Sequence, residues 1–155
     1  MTAIIYFGEM LVASLFAIVL LAISRLGISF NAALFVAGAV AWTLAEYCVH
    51  RFVLHRLMPT RHGLHHANPG EPVLTIFWQI WCCFASVYLI TGRAFLAGAL
   101  VAYAWYLLVH HCAHHRPDIL PSALLDHHKE HHRFASRNFG VSTTFWDHVF
   151  GTRLR

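Results

Sequence analysis

Four apolar runs, at residues 4–23, 32–49, 73–91 and 94–109, constrain this chain more than any other feature. Twenty helical residues cover about 30 Å, the thickness of a bilayer core. A chain of 155 residues that is 58% hydrophobic and only 12% charged is too apolar for an ordinary soluble domain. The expected fold is an all-α integral membrane protein of about four transmembrane helices, with residues 1–155 forming one membrane-embedded domain. The last run is short, about 24 Å by helical rise, so it either continues through His110 or lies partly in the interface. No Lys or Arg precedes Arg25, which argues against a cleaved signal peptide and for a retained first span. Glu9 is expected at the interfacial end of that span. Small residues from Ala32 to Ala41, including Gly38, predict close helix packing in the second.

Histidine is the second feature. The stretch Asp126-His127-His128-Lys129-Glu130-His131-His132 holds His-x-x-His-His, and so does His62-Gly63-Leu64-His65-His66. On a helix, positions i, i+3 and i+4 share a face, so such rings can converge on one ion. The pairs His50/His55 and His110/His114 complete four clusters. His50 and His55 are five apart, off-register for one α-helical face. They share a site only if other elements wrap around them; otherwise they serve different metals. Glu46, one turn before His50, is placed to accept a hydrogen bond that orients it. Ser122 is placed to cap a helix through the Asp126–His132 stretch, and Asn68-Pro69-Gly70 to end the helix before it.

The clusters share one membrane face. His50 to His66 follow two spans, and His110 to His132 follow four. Charge agrees: only Arg25 and Arg93 fall in the opposite turns, while Arg51, Arg56, Arg61, Arg116, Lys129, Arg133, Arg137, Arg153 and Arg155 share the histidine side. The positive-inside rule makes that side cytoplasmic. Ten clustered histidines exceed the needs of one ion, and two metals suit the count. Without Glu-x-x-His repeats, this is not the carboxylate-rich di-metal design of helical bundles. Such a cap suits two irons that activate dioxygen, although the donor set alone fits zinc as well. Cys48, Cys82, Cys83 and Cys112 lack Cys-x-x-Cys spacing and read as buried thiols rather than a disulfide frame or zinc site. The formal charge of +4 speaks to orientation and anionic lipid, and no nucleic-acid motif is present.

Five motifs in order carry a resemblance: Glu46 to His55, Arg61 to His66, Val109 to His115, His128 to His132, and Asn138 to Thr152 with its Phe139-Gly140 and Trp146-Asp147. Together they resemble the fatty acid hydroxylase/sterol desaturase superfamily, and within it the fatty acid (sphingolipid) 2-hydroxylase branch. The resemblance implies a di-iron, dioxygen-dependent membrane hydroxylase of lipid acyl chains. Its ligands would be His50, His55, His62, His65, His66, His110, His114, His128, His131 and His132. His111, His115, His127 and His148 would lie beside them, although His111/His114/His115 repeats the same spacing. The 138–152 segment would close the site or support it. Purified material could carry zinc in place of iron. With no fused cytochrome b5 domain, electrons would come from a separate cytochrome b5-, ferredoxin- or reductase-like protein. The rival enzymes are carotenoid and sterol hydroxylases or desaturases with similar histidine boxes. The non-enzyme rival is a histidine-rich metal-binding or transport protein, which calls for ionisable residues inside the spans; these spans are nearly free of them.

Overall fold

The computed structural model describes residues 3–70 and 77–154, and all regular structure among them is helical. Helix α1 is Ala3–Ala22 and α2 is Ile28–Cys48. A π-helical segment, Val49–Leu57, continues α2 and leads to α3, Pro59–Ala67. Helix α4 is Phe77–Thr91 and α5 is Arg93–His115. A short 3-10 turn, Pro117–Ile119, precedes α6, Ser122–Arg133, and α7, Phe145–Val149. The start of the third apolar run, 73–76, lies outside the described residues.

The fourth run resolves as expected of its longer form. Helix α5 continues past His110 to His115, and its 23 residues cover about 34 Å. Among the described residues, two helices are long and apolar enough to cross a bilayer: Ile28–Leu57, counting the π segment, and Arg93–His115. Tyr6–Ala22 and Trp78–Thr91 are shorter apolar helices. Asn68 ends α3, as the turn signal predicts. At α6 the expectation fails: Pro121 occupies the cap position, and Ser122 is the first helical residue. Pro fixes its own φ, its carbonyl accepts the amides of Leu124 and Leu125, and no side chain caps the helix.

The chain divides into two compact units. One contains residues 3–42 and 77–105. Its outer surface is apolar: Leu11, Leu15, Phe16 and Ile18 are exposed on α1, and Leu89 and Ile90 of α4 expose 83% and 84% of their area. In water so much apolar surface on neighbouring helices is costly, and hydrocarbon removes that cost. Inside, α2 and α5 cross on reciprocal glycines. A Cβ at Gly38 would meet the Phe95 carbonyl oxygen at 1.9 Å, and one at Gly98 would meet that of Phe35 at 1.9 Å. This close backbone approach is the packing that the small residues of the second run predict. Trp42, Phe84 and Tyr103 form an aromatic triad, with ring centroids 4.9 to 5.4 Å apart. The Glu9 carboxylate accepts the Trp81 indole N–H at 3.0 Å.

The other unit contains residues 43–70 and 106–154, and it holds every histidine. Here α7 is tied to the end of α2. The Trp146 indole donates to the Thr43 hydroxyl at 3.0 Å, the Tyr47 and Thr152 hydroxyls pair at 2.9 Å, and Tyr47 stacks on Phe150.

Candidate metal centre

The π-helical segment resolves the spacing of His50 and His55. A π-helix closes i to i+5 hydrogen bonds, so residues five apart share a face. The Met58 amide bonds the Val53 carbonyl in that register. His50 and His55 accordingly point together, with ring centroids 5.0 Å apart. They lie in one set of candidate ligands.

Two sets of imidazoles result. His50, His55, His62, His66 and His131 form one; His65, His114, His128 and His132 form the other. Within each set the candidate ligand nitrogens all lie within 4.8 Å of one another. The two His-x-x-His-His motifs do not map one to each set. On α3, His62 and His66 face the first set and His65 the second; on α6, His131 faces the first and His128 and His132 the second. Nine of the ten histidines anticipated from the sequence are thus gathered. His110 stands beside the second set, its Nε2 3.3 Å from that of His114 and its ring centroid 5.0 Å from that of His128.

The donor set fits metal ions. Nε2 atoms face each other at 2.9 Å for His50 and His62, 3.1 Å for His62 and His66, and 3.1 Å for His55 and His131. In the second set, His128 lies 2.9 Å from His114 and 3.2 Å from His132. Two ligands at right angles on an ion, with bonds of about 2.1 Å, sit about 3.0 Å apart. The tautomers agree for two rings. His50 Nδ1 donates to the Phe139 carbonyl at 2.5 Å, and His131 Nδ1 donates to the Arg137 carbonyl at 2.7 Å. A carbonyl only accepts, so each neutral ring carries its proton on Nδ1 and presents a bare Nε2.

Burial holds the rings neutral. It lowers His62 to about 2, with the His55 and His66 imidazoles adding to the effect. It lowers His131 to about 2 and His132 to about 3, and it carries His128 well below the usual range. Neutral imidazole is the form that binds a metal.

The segment 137–142 carries the two carbonyl acceptors, and two buried carboxylates hold it. Asp147 accepts the amides of Phe139 at 2.8 Å and Gly140 at 2.7 Å. Glu46 accepts those of Val141 at 2.8 Å and Ser142 at 2.9 Å, and the Ser142 hydroxyl as well. Four consecutive amides are therefore satisfied by two side chains. Asp147, fully buried, also accepts from His127 Nε2 at 3.0 Å and from the Thr152 hydroxyl at 2.6 Å. Burial alone would raise its carboxyl; the His127, Thr152 and amide donors outweigh that and lower it. Asn138 adopts a left-handed φ of 55°, which Asn tolerates, and its side chain bonds the His127 carbonyl and the Leu154 amide.

Glu46 therefore does not orient His50 directly. Both ring nitrogens of His50 are engaged elsewhere, and Glu46 acts through the segment that supplies the Phe139 carbonyl. Asp147 had no role assigned from sequence. Its signal was present, however: it is one of only seven acidic residues in a strongly apolar chain. Outside the two sets, His127 pairs with Asp147, His111 and His115 lie 4.6 Å apart by ring centroid, and exposed His148 donates to the Thr144 carbonyl.

Comparison with known proteins places this architecture. A family model described as fatty acid hydroxylase matches residues 35–152. A ceramide very long chain fatty acid hydroxylase of Schizosaccharomyces pombe is 34% identical, across 81% of this chain and 44% of that protein. A fatty acid 2-hydroxylase of Rattus norvegicus is 30% identical, across 78% of this chain and 39% of that protein. A dihydroceramide fatty acyl 2-hydroxylase of Arabidopsis thaliana is 30% identical, across 74% and 58%. The chain thus spans about two fifths to three fifths of the length of these relatives. A solved structure described as full-length scs7p, with only the hydroxylase domain visible, superposes with a TM-score of 0.76 at 30% identity, over 93% of this chain and 63% of that one.

Proposed function

The chain belongs to the fatty acid hydroxylase family, and on that premise we propose that it is a membrane oxidoreductase that hydroxylates a lipid acyl chain, at the carbon beside the carbonyl. The observation that carries the reading is the gathering of nine histidines into two ligand sets within the segment matched by the family. The relatives named as 2-hydroxylases support the position of oxidation.

Two iron ions are the proposed cofactors, one per set. His50, His55, His62, His66 and His131 hold the first; His65, His114, His128 and His132 hold the second, with His110 beside it. Bound iron, supplied with dioxygen and two electrons, provides an oxidant strong enough for an unactivated C–H bond. The chain's own residues prepare the site. His50 and His131 are turned by backbone carbonyls so that Nε2 faces inward. Burial of His62, His128 and His131 excludes water and keeps the rings unprotonated. Electrons come from a cytochrome b5-, ferredoxin- or reductase-like donor. Zinc, which lies above iron in the usual affinity order, can replace it during purification.

The proposed setting is a multi-pass membrane protein of four spans with the histidine cap on the cytoplasmic face. The apolar helices and the distribution of Lys and Arg support this.

The deciding experiment expresses wild type and His131→Ala with a matched reductase under labelled dioxygen, followed by lipid mass spectrometry. Label in 2-hydroxy acyl products of wild type alone is expected. Its absence from wild type, with iron loaded and electron delivery confirmed, would sink the assignment; label in a carotenoid or sterol would transfer it to those substrates.

A further inference from the structure

Backbone carbonyls of one segment anchor two rings of the five-histidine set. In the five-histidine set, His50 and His131 each donate Nδ1 to a carbonyl of the 137–139 backbone. That backbone is itself held by Glu46 and Asp147 through four consecutive amides. In the four-histidine set, the His132 ring lies against the His66 backbone, but the Nδ1 of His128 is buried and meets no hydrogen-bond partner among the described residues. His62 shares that condition in the larger set. A metal-bound imidazole carries its proton on the far nitrogen. An acceptor there raises the basicity of the ligand and fixes the ring, and loss of such partners typically weakens metal binding 10- to 100-fold.

We propose that the two metal sites have unequal affinity, the five-histidine site being the tighter, and that Glu46 is a positioning residue for that site. This rests on the two-metal reading above. Glu46 reaches no ring of the tighter site, since both nitrogens of His50 are taken by Phe139 and His62. It acts by holding the Val141 and Ser142 amides, two and three residues beyond the Phe139 carbonyl. Asp147 holds the same segment but also bonds His127 on α6, the helix that supplies His128, His131 and His132, so its influence reaches both sites. Glu46 is the selective handle.

The test uses the full chain in detergent, reconstituted anaerobically with iron(II) and dialysed against a graded series of chelator. Retained iron is counted by elemental analysis. Wild type should lose one ion at low chelator and the second only at concentrations about 10- to 100-fold higher. His132→Ala should retain only the tight ion and His62→Ala only the weak one, which assigns each release to its set. Glu46→Gln keeps the shape but replaces one of the two acceptor oxygens with an N–H donor, and should weaken the tight ion while leaving the weak one unchanged. Ser142→Ala removes one donor to Glu46 without touching the helix, and should do the same to a smaller degree. It supplies the reading if Glu46→Gln does not insert. Two ions leaving wild type together would overturn the inequality, as would assignment of the tight ion to the four-histidine set. An unaltered tight ion in both variants, or equal weakening of both ions, would overturn the role of Glu46. Fewer than two ions in fully loaded wild type would overturn the two-metal reading itself.

Discussion

The amide of Gly140 donates to the Asp147 carboxylate at 2.7 Å, and there is no room at Gly140 for a side chain. A Cβ there would lie 2.1 Å from the Thr143 carbonyl oxygen and 3.0 Å from Asp147 Oδ2. The backbone that turns His50 and His131 inward therefore depends on a glycine. Gly140→Ala should push Thr143 away, lengthen the Asp147 contact and reduce bound metal. Elemental analysis of the variant checks this; full metal content at unchanged thermal stability would contradict it.

Asp147→Asn should be strongly destabilising. The carboxylate is buried and accepts from His127, Thr152 and two amides. An amide side chain places N–H groups against donors and leaves them unsatisfied. Breaking one side of such a buried network costs about 3 kcal/mol. The melting temperature in detergent, compared with wild type, reads the loss.

The glycine crossing between α2 and α5 should not tolerate a methyl group. Gly38→Ala and Gly98→Ala each force a backbone contact of 1.9 Å apart. Each should destabilise by about 1–3 kcal/mol. The double variant should cost less than the sum, because the first substitution already separates the helices at the shared contact. Strict additivity in thermal unfolding would argue that the two contacts are independent.

Metal-free protein should lose stability as pH falls below neutrality. In the unfolded chain a histidine titrates near 6.5, whereas burial lowers His62 and His131 to about 2 in the fold. The unfolded state therefore binds more protons across that window. The contribution of these rings is complete above about pH 6.5 and declines steadily as pH falls towards 2. Melting temperatures of chelator-treated protein from pH 8 to pH 5 should be flat at first and then fall. Rebound metal should raise the whole curve, because it binds only the folded state. A profile rising towards acid would reverse the sign.

Under the proposed four-span topology, with nine of eleven Lys and Arg residues on the histidine side, reporter fusions at either end of the chain should report a cytoplasmic location. An external signal at either end would overturn the proposed orientation.

The sequence by itself determined the material and the chemistry. The apolar runs prescribe helices in hydrocarbon, because hydropathy is local and adds along the chain. The repeated His-x-x-His-His motifs prescribe converging imidazoles, because helical periodicity is local too. Only the tertiary structure decided how the ligands divide. One motif serves both sets, His62 and His66 facing one and His65 the other. The five-residue step from His50 to His55 reads as off-register until the backbone is seen to be π-helical. The acceptors that turn His50 and His131 are the main-chain carbonyls of Phe139 and Arg137, and Glu46 reaches its amides across 95 and 96 residues. Every residue has a carbonyl, so an anchor of that kind leaves no mark on residue type. It exists only where the fold brings a particular stretch of backbone against a particular ring.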